Sequence, residues 1–171
     1  MQDQKFLTVM AVFDDKTQKL LGDVQNSIIR EAGEGTQTMG IPFHVTLGSY
    51  PTSALYDVIQ KIKDISRDTC EFQIQLTGYN SFASSVLYLE PQTTDELVSL
   101  RREFECDYAN GFEWVPHATL FCGNADEMNM AVSAAPTLDF PIYATVTGIE
   151  LGEFFPARKI LKTDFKKQEE L

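Results

Sequence analysis

The chain contains two histidines, and each opens the same tetrapeptide, His44-Val45-Thr46-Leu47 and His117-Ala118-Thr119-Leu120. An imidazole titrates near pH 6.5, so a pair of them can supply one acid and one base at physiological pH. On a β-strand side chains alternate between faces, which projects His44 and Thr46 together, ~6–7 Å apart, and turns Val45 and Leu47 the other way. By the same parity His117 and Thr119 share a face, and Ala118 and Leu120 turn toward a core. Four such groups around one cleft suit a phosphodiester: one imidazole deprotonates water, the other protonates the departing oxygen, and the threonine hydroxyls donate to nonbridging oxygens. One further step of the alternation puts Phe121 on the active face as a platform for a base, with Gly48 at the matching position leaving room for it; the alternative is a core phenylalanine, as burial of this residue type favours. Two histidines without a carboxylate cluster make a poor transition-metal site, so no metal or other cofactor is expected.

The stretches between the motifs must position them. Lys5 to Phe13 reads as a first strand, and Asp14 or Asp15 can cap a helix to about Ala32 whose stop is Gly33. Residues 33–40 form a loop whose glycines lack the Gly-Lys-Ser/Thr ending of a phosphate loop and follow a helix instead of a strand. Ile41 to Tyr50 is the strand of the first motif, and after Pro51 a helix runs to about Arg67. Phe72 to Leu76 alternates apolar and polar as a half-buried strand does, the turn-rich stretch Gly78 to Ser85 follows, and Val86 to Glu90 is the next strand. Thr93 with Glu96 predicts a capping box for a helix through about Asp107, and Ala109-Asn110-Gly111 marks a loop. Trp114 to Phe121 is the strand of the second motif. Asn124 with Glu127 opens a short helix ending before Pro136, and Phe140 to Phe165 reads as two strands joined around Pro156. The charged end, Lys166 to Leu171, is expected to fray.

Written this way the order repeats: strand, helix, motif strand, helix, strand containing Thr-Gly. His44 precedes Gly78 of Thr77-Gly78 by 34 residues, and His117 precedes Gly148 of Thr147-Gly148 by 31. Each Thr-Gly is followed by a phenylalanine, Phe82 or Phe154. A duplication would relate the motif strands by an approximate twofold axis and bring both histidines to one cleft.

Bulk properties bound the partners. At 171 residues and 43% hydrophobic content the chain fits one domain with a real core, spanning 1–171. The formal net charge of −11 repels a long nucleic acid, and Lys and Arg are scattered, with Arg101-Arg102 and Lys166-Lys167 near acidic residues. A small nucleotide or an RNA-end phosphate suits the chain, and a duplex does not. Phe6 to Phe13 is too short to cross a bilayer and the N-terminus lacks signal-peptide order, so a cytoplasmic monomer with no membrane partner is expected. Cys70, Cys106 and Cys122 are widely spaced and read as buried free thiols.

With these residues in place, the sequence resembles the two-histidine phosphoesterase superfamily, which includes 2′-5′ RNA ligase-like proteins and 2′,3′-cyclic nucleotide phosphodiesterases. Its mark is a pair of His-x-Thr/Ser-x motifs, and Pro116 before the second motif also matches. The resemblance implies an α+β, bilobal, pseudo-twofold fold, with two antiparallel-rich sheets lining a central cleft and helices outside. It implies catalysis by His44 and His117 and phosphate binding by Thr46 and Thr119. Arg158 and Lys159 in the C-terminal turn are the cations expected nearest the phosphate. The function it implies is metal-independent phosphodiester hydrolysis of a 2′,3′-cyclic phosphate or a 2′-5′ linkage. The alternatives are 2′-5′ RNA ligation and a module that binds a nucleotide or RNA end without turnover.

Overall fold

The structure is a computed structural model and describes residues 4–109 and 113–169. Its elements are β1 (Phe6–Phe13), α1 (Asp15–Ala32), β2 (His44–Pro51), a 3₁₀ turn (Thr52–Ala54), α2 (Leu55–Asp68), β3 (Phe72–Phe82), β4 (Val86–Pro91), α3 (Asp95–Glu103), β5 (Ala118–Cys122), α4 (Ala125–Ala134), β6 (Ile142–Phe154) and β7 (Arg158–Asp164). The strands pair antiparallel in the order β2-β1-β6-β3-β4-β5, with β7 also on β6. No helix among the described residues is long and apolar enough to cross a membrane.

That order reads the same from either end under the exchange of β1 with β4, β2 with β5 and β6 with β3. Each arm carries its motif on its outermost strand. The two expected sheets are therefore two arms of one sheet, joined because β6 is long enough to pair with β1 through its C-terminal part and with β3 through its N-terminal part. The sheet curls so far that its ends, β2 and β5, approach within 8 Å between Cα atoms.

The registers match as well. Val9 pairs with Gly48 and Met10 with Thr46, so Leu47 is an extra residue in β2, while Leu87 pairs with Phe121 and Tyr88 with Thr119, so Leu120 is the extra residue in β5. The fourth residue of each motif is thus a β-bulge, the device that bends a strand and re-aims its side chains. The Thr-Gly pairs mark a second matched set: Thr147 is unmatched between β6 and β1, and Thr77-Gly78 carries the extra residue between β3 and β4. Glycine at 78 consequently continues β3 to Phe82 instead of starting the expected turn, which is confined to residues near Ala83.

Alternate residues of β1 divide between two apolar clusters. Leu7, Val9, Ala11 and Phe13 join the main core beneath the helices, and Met10 and Val12 lie on the opposite, cleft-facing side with Phe154, Phe6 and Ile41. Helix ends follow their local signals. Gly33 stops α1 at φ 89°, a left-handed conformation glycine reaches freely, and Asn124 and Glu127 form a reciprocal capping box for α4. The α3 cap is Thr94, one residue later than the expected Thr93, its hydroxyl accepting the Leu97 N–H at 3.2 Å. That helix ends at Glu103, earlier than Asp107, and the chain turns back toward β2. Lys166, expected to fray, is bound through its backbone to Thr69 and Glu71; residues 170–171 lie outside the described residues, as do Asn110 and Gly111 of the expected loop. All three cysteines are free, but Cys70 is exposed and Cys106 and Cys122 are half-buried, because the first two lie in connections and the third ends β5, none within a core stripe.

Gly48 has a packing role that its expected one would not require. A Cβ there would lie 2.0 Å from the Phe104 carbonyl oxygen, so the missing side chain makes room for the backbone after α3 and not for a ligand base. Gly48→Ala is expected to cost at least ~2 kcal/mol by overpacking, whereas Gly78→Ala, with nothing within 4 Å of the added atom, should change stability by less than ~0.5 kcal/mol. Urea denaturation of both variants checks this, and similar midpoints would contradict the close approach.

Candidate active site

His44 opens β2 and His117 immediately precedes β5, which begins at Ala118 and not at the expected Trp114. Each ring is anchored in the same way. Nδ1 of His44 lies 2.8 Å from the Pro42 carbonyl, and Nδ1 of His117 lies 2.7 Å from the Val115 carbonyl, in both cases the residue two before. A carbonyl only accepts, so each Nδ1 carries the hydrogen, and in the neutral ring Nε2 holds a free lone pair. The approach to the first motif is fixed further by Gln18 of α1, whose side chain accepts the Phe43 N–H at 2.8 Å and donates to the Phe43 carbonyl at 2.7 Å.

Burial, against the opposing Pro42 hydrogen bond and aided by the charge of His117, holds the His44 pKa down at about 4. The His117 pKa is also lowered by burial, with the Val115 carbonyl opposing. Since the charge of one ring is felt by the other, the two imidazoles share one electrostatic environment. Aromatic edges define the second side: Phe82 stands at 4.8 Å and 87° to the His117 ring, and Tyr88 at 5.5 Å.

The motif side chains line two cavities. The larger, about 760 Å³, is bounded by Thr46, His117, Phe82, Trp114 and Val115, with Arg101, Asp107 and Glu113 also on its wall. The smaller, about 230 Å³, is bounded by His44, Thr119, Gln25, Gln37 and Thr38. Each cavity takes the histidine of one motif and the threonine of the other, as an interleaved pair of arms requires. Among the described residues no group of three or more His, Cys, Asp and Glu side chains is arranged to hold a metal ion.

Two expected residues are elsewhere. Phe121 is 0% exposed and belongs to the main core, because the bulge at Leu120 inverts the alternation and turns the next side chain inward. Arg158 begins β7 on the surface, 3.5 Å from Glu153, and lines neither cavity; its neighbour Lys159 acts on buried Glu150, so the β7 cations answer β6 carboxylates.

What holds the motifs was not anticipated. A bulge leaves a carbonyl without its ladder partner, and here helices supply the missing donors. Gln25 of α1 donates to the Leu120 carbonyl at 2.8 Å, and Arg101 of α3 donates to the Leu47 carbonyl at 2.5 Å. Arg101 is 6% exposed, makes two 3.0 Å hydrogen bonds to Asp107, and packs its guanidinium 5.4 Å from the Trp114 ring. Trp114 in turn donates from Nε1 to the Thr46 carbonyl at 2.8 Å. A signal for both clamps existed: Leu21-x-x-Val24-Gln25 and Leu97-x-x-Leu100-Arg101 each set a polar residue on an apolar helix stripe, where it must find a buried partner.

Matched imidazoles and hydroxyls on a pseudo-symmetric antiparallel sheet define a class of two-histidine phosphoesterases. The family model described as the 2′-5′ RNA ligase superfamily matches residues 41–154, and the chain belongs to that family. Solved structures share the fold. TT0787 of Thermus thermophilus is 15% identical at a TM-score of 0.63, covering 96% of this chain and 100% of its own. A protein solved as a phosphoesterase is 17% identical at 0.60, over 95% and 99%. E. coli LigT, solved in complex with 3′-AMP, is 14% identical at 0.60, over 95% and 99%. No curated protein sequence matches the chain.

Arg101→Ala strands the Leu47 carbonyl, and Gln25→Ala strands that of Leu120. Each is expected to lower stability by about 1–3 kcal/mol, the cost of an unsatisfied buried acceptor. Arg101→Ala should be the more damaging, since Asp107 and Trp114 lose their partner as well. Thermal or urea denaturation reads this, and unchanged stability in both variants would refute the clamp.

Proposed function

We propose that the protein is a metal-independent phosphodiesterase acting on a 2′,3′-cyclic phosphate or a 2′-5′ linkage of a nucleotide or RNA end. The observation that carries the reading is the matched pair of imidazoles, each tied through Nδ1 to the carbonyl two residues before it, with Nε2 left for proton transfer. A relative in fold solved with 3′-AMP accords with an occupant of nucleotide size. The reading takes residues 1–171 as one bilobal unit, supported by the sharing of β6 between both arms.

The two rings divide the work by their environments. His44, pushed lower, stays neutral to about pH 4 and is the base; His117 takes a proton first and is the acid. Nε2 of His44 accepts a proton from water, the oxygen of that water bonds to phosphorus, the bond from phosphorus to the ribose oxygen breaks, and Nε2–H of His117 protonates that oxygen. Thr46 and Thr119 donate to the nonbridging oxygens as charge grows on them. Both rings exchange roles in the reverse direction, so the same geometry serves ligation.

Replacing either His44 or His117 by Ala is expected to lower kcat by at least ~10² with a cyclic nucleotide in EDTA, as loss of an acid or base does. Full activity of the double variant would sink the reading. The pH dependence has a definite sign. Activity needs His44 neutral, hence a pH above about 4, and His117 protonated, hence a pH below its own lowered value. The optimum of kcat/KM, which reports the free enzyme, is therefore expected between about 4 and 6.5. An optimum above pH 7 would contradict the lowering of both rings by burial. Binding with no product after prolonged incubation would identify a recognition module instead.

A further inference from the structure

The walls of the cleft carry a charge pattern that narrows the substrate. All fourteen Lys and Arg of the chain lie among the described residues, and Arg101 is the one that lines either cavity. Its guanidinium is already committed, to the Leu47 carbonyl and to both oxygens of Asp107, and it is nearly inaccessible. Lys159 and Lys162 on β7 act on Glu150, and Lys5 and Arg158 pair with Glu153. Asp107 is neutralised by its pairing with Arg101, so the charge left on the wall of the larger cavity is the negative one of Glu113. Its remaining wall is flat and apolar, from Phe82, Ala83, Trp114 and Val115, while the smaller cavity has no carboxylate or guanidinium on its wall and mixes polar with apolar side chains.

From this pattern we infer that the cleft takes a nucleoside bearing a single phosphate, seats the nucleoside in the larger cavity beside His117, and rejects a second phosphate. The inference rests on the phosphodiesterase reading of the same cleft and narrows its substrate from a nucleotide or RNA end to a nucleoside with one phosphate, excluding 5′-phosphorylated nucleotides and RNA ends. One phosphate is met by two imidazoles and two hydroxyls. A second, on the far side of the ribose, meets neutral or acidic walls on a chain of net charge −11 and finds no donor of opposite charge. The base, in contrast, finds an aromatic surface of the kind that accepts any of the four.

Calorimetry with two ligands that do not turn over separates the possibilities: adenosine 3′-monophosphate and adenosine 3′,5′-bisphosphate. The monophosphate is expected to bind about tenfold more tightly at low ionic strength, with the ratio shrinking as salt screens the rim charges. Glu113→Gln should narrow the ratio by weakening only the rejection of the bisphosphate, and Phe82→Ala should weaken both ligands alike. Equal or tighter binding of the bisphosphate at low salt, or no binding of either, overturns the inference. Discrimination without hydrolysis of the corresponding cyclic phosphate would leave it standing and sink the phosphodiesterase reading, so the two failures are distinguishable.

Discussion

The site depends on two backbone carbonyls. An antiparallel strand with one residue too many must leave part of its ladder unpaired, and an unpaired carbonyl inside a protein costs free energy on the scale of a lost hydrogen bond. At Leu47 and Leu120 that cost is offset by a side chain from a helix on the opposite arm of the repeat: Arg101 reaches from α3 to β2, and Gln25 reaches from α1 to β5. Each clamp therefore ties one arm to the other. The bulges give the motif strands their curvature, the curvature brings β2 and β5 together, and the clamps keep that curvature from relaxing.

The duplicated plan was legible because its markers are chemical. Histidine and threonine at fixed spacing and the Thr-Gly pairs stand out in any composition, and the order of strands and helices between them followed from apolar periodicity. Phe121 was misplaced for a reason that single-strand parity cannot detect: a bulge is a property of two strands in register, and nothing within Thr119-Leu120-Phe121 distinguishes a bulged strand from a straight one. Gly48 was misread for a related reason, since the Phe104 carbonyl that fills its place comes from a remote turn. The clamps were missed although their sequence signal is present. Gln25 and Arg101 occupy equivalent places on their helices, and a polar side chain on a buried stripe implies a buried partner.

The duplication preserves backbone roles more faithfully than chemistry. A neutral amide clamps one bulge and a guanidinium the other, and Arg101 recruits Asp107 and Trp114 to satisfy the donors that an amide does not have. The cost of that replacement falls on one side of the cleft. It introduces a buried cation, the carboxylate that neutralises it, and an indole wall, which is why the larger cavity has an ion pair and an indole face that its smaller counterpart lacks. Functional asymmetry in a pseudo-symmetric site can thus arise from a scaffold substitution and not from any change in the motif itself.

An acidic chain that handles phosphate faces a further constraint. With its lining guanidinium neutralised internally, the cleft must meet an anion with neutral donors and with whatever protons its imidazoles take up. Both histidines are held below their ordinary pKa chiefly by burial. An anion seated between them reverses that balance, because it favours the charged form of each ring, which desolvation alone disfavours. Binding and protonation are then one event, and the positive charge needed for acid catalysis is present when substrate is present. A permanent cation at the same place would attract every phosphate alike, whereas an imidazole that charges only in response to a ligand ties attraction to correct seating.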